Sequence, residues 1–195
     1  MLDRGCSMSM SLQLPNKKVT KYVIQEVVEF LNMLCYEEVV LKSDSEPVCK
    51  VLLENVRSAR SPKKTHIKFA PRYSSQSKGA VENYIRRISG KIRALLLELS
   101  VKYGVAITCQ HHIFAWVVRH ASFMYVRFFV KANGRTAYEE LFLERYTSKL
   151  CPLGECVLFR APMSATGRLL QGKRWRKGDP MWHFGRLLRS RSTFQ

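Results

Sequence analysis

The pattern of apolar and polar residues at the start of the chain predicts a strand followed by a helix. Residues 9–14 alternate small and apolar side chains before a Pro-Asn pair, which predicts a strand and a turn. Apolar positions then recur at helical spacing over residues 19–35. We therefore expect an amphipathic helix over this second range.

Two further strands with a helix between them are predicted next. Residues 38–41 form a short apolar run that is typical of a buried strand, and residues 65–69 predict another strand. The intervening residues 45–59 suit a helix, with Ser45 as the expected N-cap. Strands and helices in this order favour an α/β sheet.

The second half of the chain predicts helices and then short strands. Residues 80–103 carry an apolar stripe at helical spacing, and residues 113–130 are apolar on nearly all sides, as in a buried helix. Thr136 and Glu139 have the spacing of a capping box at the start of a short helix. From residue 150 onward, glycines and prolines separate short apolar runs, which favours a small β module.

The net charge of the chain excludes several classes of protein. Lys and Arg number 33 against 15 Asp and Glu, a formal net charge of +18, while 46% of the residues are hydrophobic. Such a composition excludes an acidic solubility tail, a charge-neutral secreted enzyme and most metabolic enzymes, and it indicates a globular protein with a polyanionic partner. Residues 71–195 hold 22 of the basic and only 7 of the acidic side chains, so we expect the polyanion to bind there.

Cysteine usage and hydropathy point to an intracellular protein, with the nucleus as a candidate location. The 6 cysteines are spread through apolar stretches, as in reduced proteins, and they lack the paired spacing with histidines that would predict zinc. The uncharged run of residues 103–118 is too short to span a bilayer, and no signal peptide is expected. We therefore predict no membrane partner.

Asp44 and Glu82 are the candidate metal ligands. Asp44 follows a predicted strand and Glu82 lies in the first turn of a predicted helix, and hard divalent cations need oxygen ligands that converge from rigid elements. Both carboxylates also suit ordinary positions near helix N-termini, which is the alternative interpretation. Arg86 and Arg93 share the face of Glu82, either as phosphate ligands or as a solvated helix surface.

Two segments resemble the catalytic core of retroviral-type and LTR retrotransposon integrases. They are Leu-Lys-Ser-Asp, ending at Asp44, and Pro-Arg-Tyr-Ser-Ser-Gln-Ser-Lys-Gly-Ala-Val-Glu, ending at Glu82. Their spacing is close to that between the second Asp and the Glu of that family. A later stretch, residues 134–142, is similar to the segment that follows the family's core, although Ala137 stands where proline is usual.

The resemblance implies a fold and an inherited chemistry. It implies a truncated ribonuclease-H-like core over residues 1–147, a mixed sheet with flanking helices that lacks its first strand, and a small basic SH3-like β module over residues 148–195. Asp44 and Glu82 would be catalytic and would bind Mg²⁺ or Mn²⁺ for DNA integration by strand transfer. Asp3 matches a different strand of the family, so the first catalytic Asp is expected to be missing and the chain to be inactive alone.

The expected partner is DNA, with RNA as a second candidate and with homo-oligomers as in the family. The alternatives are a basic DNA- or RNA-binding protein without catalysis and a structural RNA-associated protein of ribosomal type. The basic run near the C-terminus contains a tryptophan that can stack on bases, and a solvated loop is its alternative interpretation. The residues expected to contact nucleic acid are Tyr73, Gln76, Ser77, Lys78, Arg86, Arg93, Lys173, Arg174, Trp175, Arg176 and Lys177.

Overall fold

A computed structural model of the chain describes residues 1–14, 16–70, 79–160 and 182–186. These residues form a mixed α/β structure, which confirms the predicted class at this level. The elements are α1 (Lys21–Met33), β1 (Glu38–Ser43), α2 (Pro47–Ala59), β2 (Lys64–Phe69), α3 (Gly79–Tyr103), α4 (Phe114–Phe128), α5 (Ala137–Phe142), β3 (Cys156–Arg160) and β4 (Trp182–Arg186).

The first sheet is a parallel pair built from β1, α2 and β2. The strands pair in register from Glu38 opposite Lys64 to Ser43 opposite Phe69, and α2 packs against β2. Parallel neighbours need such a crossover because the chain must return to the starting edge before the second strand begins. A larger mixed sheet is not formed within the described residues.

The strand predicted for residues 9–14 is wrong. Ser9 makes only an isolated antiparallel bridge to Leu2, because the chain turns back on itself between them. The Asp3 carboxylate accepts a hydrogen bond from the Cys6 backbone N–H at 2.7 Å, and the Asp3 N–H donates to the Met8 carbonyl at 2.8 Å. Local side-chain bonding of this kind competes with a sheet ladder.

One of the two predicted helix caps is confirmed. Thr136 and Glu139 form the predicted capping box of α5, and Thr20, for which no cap was predicted, caps α1. The predicted Ser45 cap of α2 is wrong, because the N-cap is Glu46, whose side chain makes no capping bond. The Glu46 carboxylate instead accepts a hydrogen bond from Lys17 at 2.8 Å.

The main core lies on one face of the β1–β2 pair. Val39 and Leu41 are buried there, together with residues of α1 and α2 and with Val126 of α4. The intervening Val40 is 54% exposed, so the predicted buried strand is buried on one face only. The strand is half-buried because, among the described residues, helices cover one face of the pair and not the other.

Helices α3 and α4 pack along each other and form two further apolar clusters. Tyr84 packs edge-on against Tyr125 with ring centroids 5.2 Å apart, and Leu99 packs with Val117 nearer the end of α3. The predicted apolar stripe of α3 is confirmed in its central part. Two of its N-terminal members do not join the core, since Val81 is 40% and Ile85 is 56% exposed.

Charged side chains join α4 to its neighbours. Arg119 pairs with Glu26 of α1 at 2.7 Å. The buried Arg127 lies over the ring of Phe123 at 4.0 Å and over Tyr146 at 4.9 Å. A guanidinium among aromatic rings keeps favourable electrostatic contacts while it is shielded from water. Among the described residues, no helix has the length and hydropathy needed to span a membrane.

The C-terminal part contributes a second pair of strands. β3 and β4 pair antiparallel, from Cys156 opposite Arg186 to Arg160 opposite Trp182. Two strands at this place are what the change in composition after residue 150 predicts. The division of the chain into domains of residues 1–147 and 148–195, and the SH3-like form of the second, stay predictions.

Candidate nucleic-acid interface

Asp44 lies at the carboxyl edge of the parallel sheet. The Ala70 N–H donates to the Ser43 carbonyl at 2.9 Å, so β1 and β2 end side by side, and Asp44 is the next residue after β1. The Asp44 side chain is exposed. Its position after a strand is therefore the predicted one, at the edge where α/β sheets place their ligands.

Glu82 lies in the first turn of α3 and is exposed. A carboxylate there interacts favourably with the positive end of the helix dipole. α3 packs on α4, and α4 contributes Val126 to the core on the β1–β2 pair, so the two elements that carry the candidate carboxylates are linked through α4. The connecting residues 71–78 lie outside the described residues, and with them Tyr73, Gln76, Ser77 and Lys78. The juxtaposition of Asp44 and Glu82 stays a prediction.

A metal site does not follow from the described residues. Within them, no group of three His, Cys, Asp or Glu side chains converges. Mg²⁺ requires a nearly octahedral shell of oxygens, of which Asp44 and Glu82 would supply only two ligand side chains. We therefore derive no chemical step through Mg²⁺ or Mn²⁺.

The Asp3 carboxylate accepts hydrogen bonds within the N-terminal turn. Besides the Cys6 N–H, its carboxylate accepts a hydrogen bond from Cys6 Sγ at 3.0 Å. Burial, with this hydrogen bond as a further cause, raises the pKa of the Cys6 thiol to about 11. Asp3 thus has a local structural role, and the absence of a catalytic role for it stays a prediction.

Helix α3 presents a basic face to solvent. Arg86 and Arg93 are exposed and lie one above the other, two turns apart, with Glu82 at the N-terminal end of the row. In the described part of the chain, neither arginine has a carboxylate within 4.0 Å. Arg87 differs, because its guanidinium stacks over the Phe129 ring at 4.4 Å and is held there. Arg86 and Arg93, together with the exposed Lys91, are therefore α3 cations available to an external anion.

The basic run of the C-terminal part lies outside the described residues. Lys173, Arg174, Trp175, Arg176 and Lys177 fall between β3 and β4, the two strands of which the structure describes the backbone. Their predicted contact with nucleic acid stays a prediction.

Sequence reasoning missed a second basic surface. Lys42, Lys64 and Lys68 are exposed on one face of the β1–β2 pair. The signal was present in the sequence, since lysine, histidine and lysine alternate with Thr65 and Ile67 along β2. Such alternation indicates a strand with one solvated face. The pairing partner, and hence the position of Lys42 beside Lys68, follows only from the register.

No model of a known protein family matches this chain, and no curated protein matches it significantly. The integrase resemblance is therefore carried by the quoted motifs alone.

Proposed function

We propose that this chain is an integrase-like DNA-binding protein that binds the phosphate backbone through the exposed face of α3 and does not catalyse strand transfer by itself. The observation that carries the proposal is the pair Arg86 and Arg93, exposed and without a carboxylate partner in the described residues, in a chain of net charge +18. Lys and Arg that neutralise phosphates supply most of the sequence-independent affinity for DNA.

The spacing of the two arginines suits a nucleic-acid backbone. Seven residues of α-helix span roughly 10 Å, so the guanidiniums of Arg86 and Arg93 reach different phosphates. Guanidinium groups bind phosphate oxygens with two parallel hydrogen bonds. Contacts of this kind position a protein on DNA without reading the base sequence. We therefore expect binding with little sequence preference.

The ribonuclease-H-like core is the finer part of the proposal. It is supported by the β1–α2–β2 unit, by Asp44 at its carboxyl edge and by Glu82 at the start of the helix that follows. In the integrase resemblance Asp44 and Glu82 would hold the metal ions. Because Asp3 matches a different strand of that family and the first catalytic Asp is expected to be missing, the proposal assigns the chain DNA binding without catalysis.

Fluorescence anisotropy with a labelled DNA duplex tests the binding role. In Arg86→Gln/Arg93→Gln we expect at least a tenfold weaker Kd near 50 mM salt and a salt dependence reduced by about 2 in the log–log slope, since each lost phosphate contact lowers it by roughly 0.9. The matched control is Arg57→Gln/Arg145→Gln, which removes two arginines that pair with Glu54 and Glu139. Equal losses in the two variants would contradict a role for the α3 face. Tighter binding to an RNA duplex would favour the RNA-binding alternative.

A strand-transfer assay with Mg²⁺ or Mn²⁺ tests the absence of catalysis. We expect no product from the wild-type chain or from Glu82→Gln. Product that disappears in Glu82→Gln would overturn the non-catalytic part of the proposal and would establish integrase chemistry. Product that persists in Glu82→Gln would remove the role assigned to Glu82.

A further inference from the structure

The β1–β2 pair has one face without a covering layer of helices in the described part of the chain. Side chains alternate along both strands, and those opposite the core are all exposed, with Val40 at 54%. Because parallel strands in register place paired residues on the same face, these side chains form one surface. This open face consists of Glu38, Val40, Lys42, Lys64, His66 and Lys68.

The open face carries three lysines but only one carboxylate. Its one carboxylate, Glu38, is bonded to His66 Nε2 at 2.8 Å. Lys42 is directly opposite Lys68 in the register. Like charges at opposite positions of two strands destabilise the pair. An anion bound between the two ammonium groups removes that repulsion.

Several lysines of the described structure have acidic partners. Lys17 pairs with Glu46 at 2.8 Å, Lys63 pairs with Glu37 at 3.0 Å, and Lys102 pairs with Glu155. No carboxylate of the described residues lies within 4.0 Å of a lysine on the open face, which is also true of the separate lysines Lys18, Lys21 and Lys91. Three cations without partners are thus gathered on one surface of a rigid sheet.

We propose that the open face is a second phosphate-binding surface, which holds the backbone of the same nucleic acid or of a neighbouring segment. The inference rests on the proposed nucleic-acid function but uses different residues. Lys64 and Lys68 are separated by roughly 13 Å along β2, and Lys42 is about 5 Å across from Lys68. The face therefore spans more than one phosphate of a strand.

The composition of the open face selects the phosphate backbone as its ligand. None of its six side chains is a Phe, Tyr or Trp on which a base could stack. Val40 is its one aliphatic side chain, which is too little apolar surface to insert into a lipid layer. Phosphate groups can serve as the counter-ions of all three unpaired lysines. Such contacts carry no information about the base sequence.

The triple variant Lys42→Gln/Lys64→Gln/Lys68→Gln tests the proposal by DNA-binding anisotropy across a salt series. We expect the Kd to weaken about tenfold to a hundredfold at low salt and the log–log salt slope to fall by about 2 to 3. The matched control Lys17→Gln/Lys63→Gln/Lys102→Gln removes the same charge from lysines that have acidic partners, and we expect less than a threefold loss. Equal losses in both triples would overturn the proposal, because net charge alone would then explain the binding.

Two more arms keep the result interpretable. Lys42→Arg/Lys64→Arg/Lys68→Arg retains the three positive charges, so we expect it to keep the wild-type salt slope. A weaker affinity for DNA in this variant would show that the substitutions act by disturbing the fold, and it would overturn the proposal. Vesicles of phosphatidylserine serve as the other polyanion. Vesicle binding that depends on the three lysines, with unchanged DNA binding, would also overturn it.

Comparison with Arg86→Gln/Arg93→Gln separates this inference from the proposed function. If only the open-face triple weakens binding, the open face is supported and the α3 interface fails. If only the arginine variant weakens it, the open face fails and the α3 interface stands. A wild-type chain that binds neither DNA nor RNA refutes both.

Discussion

Replacing Lys68 by glutamate should make the protein more stable, because it turns a repulsive pair into an attractive one. Lys68 is opposite Lys42 across the parallel strands, and both side chains are exposed. Lys64 provides a matched control on the same strand and the same face, since it is opposite Glu38. Lys64→Glu changes the net charge by the same amount but creates a like-charge pair. We therefore expect Lys68→Glu to raise the stability of the protein and Lys64→Glu to lower it.

The pairing register of β1 and β2 determines how much Lys68→Glu changes the free energy of unfolding. An opposite-charge pair across two strands contributes roughly 0.2–1 kcal/mol, and a like-charge pair costs a comparable amount. Lys68→Glu exchanges one for the other, so we expect a gain of roughly 0.4–2 kcal/mol. For a chain of this size, 1 kcal/mol corresponds to about 2–4 °C in Tm. Lys64→Glu should lower the Tm relative to Lys68→Glu by a similar or larger amount.

Thermal unfolding followed by circular dichroism at several salt concentrations checks this expectation. The difference in Tm between Lys68→Glu and Lys64→Glu should be largest at about 0.01 M salt, where the Debye length is about 30 Å, and should nearly vanish at about 1 M, where it is about 3 Å. If both variants change the Tm equally at low salt, the effect comes from the net charge of the chain, and the pairing of Lys42 with Lys68 has no energetic consequence.

Two further predictions concern the core and the pH dependence of stability. Leu99→Ala should lower the free energy of unfolding, measured by chemical denaturation, by about 3–5 kcal/mol, because the side chain is 1% exposed in a cluster of α3 and α4. Its control Leu97→Ala, at a position 67% exposed, should change that free energy by less than about 0.5 kcal/mol. Hydrogen bonds from Lys131 and then Asn133 hold the pKa of Glu140 below the ordinary 4.5, so its contribution is present above that pH and is lost as the pH falls through the lowered value. Glu140→Gln should flatten that part of the stability curve, and an unchanged acid profile would contradict the assignment.

Local sequence signals predicted most of the elements because those signals act within a few residues. The helix over residues 19–35, the strand over residues 65–69 and the capping box at Thr136 are all found close to their predicted places. The strand at residues 9–14 and the Ser45 cap were wrong. Ser9 makes only an isolated bridge to Leu2, and α2 begins at Pro47 with Glu46 as its N-cap.

The candidate site was predictable in part. The position of Asp44 after β1 and of Glu82 in the first turn of α3 follows from periodicity and strand length. The predicted exposed face with Arg86 and Arg93 also follows, because residues seven apart lie on one side of a helix. The lysine surface was not predicted, since the juxtaposition of Lys42 and Lys68 depends on which strands pair and in what register.

The amino-acid sequence by itself determined the order of helices and strands, the excess of positive charge and the integrase-like motifs, because these properties are local or additive along the chain. Tertiary structure alone decided which face of each element is covered. It left Val40 and Ile85 exposed despite their hydrophobicity, and it brought two lysines of separate strands together. Burial and cross-strand pairing depend on partners distant in sequence, so no local pattern can specify them.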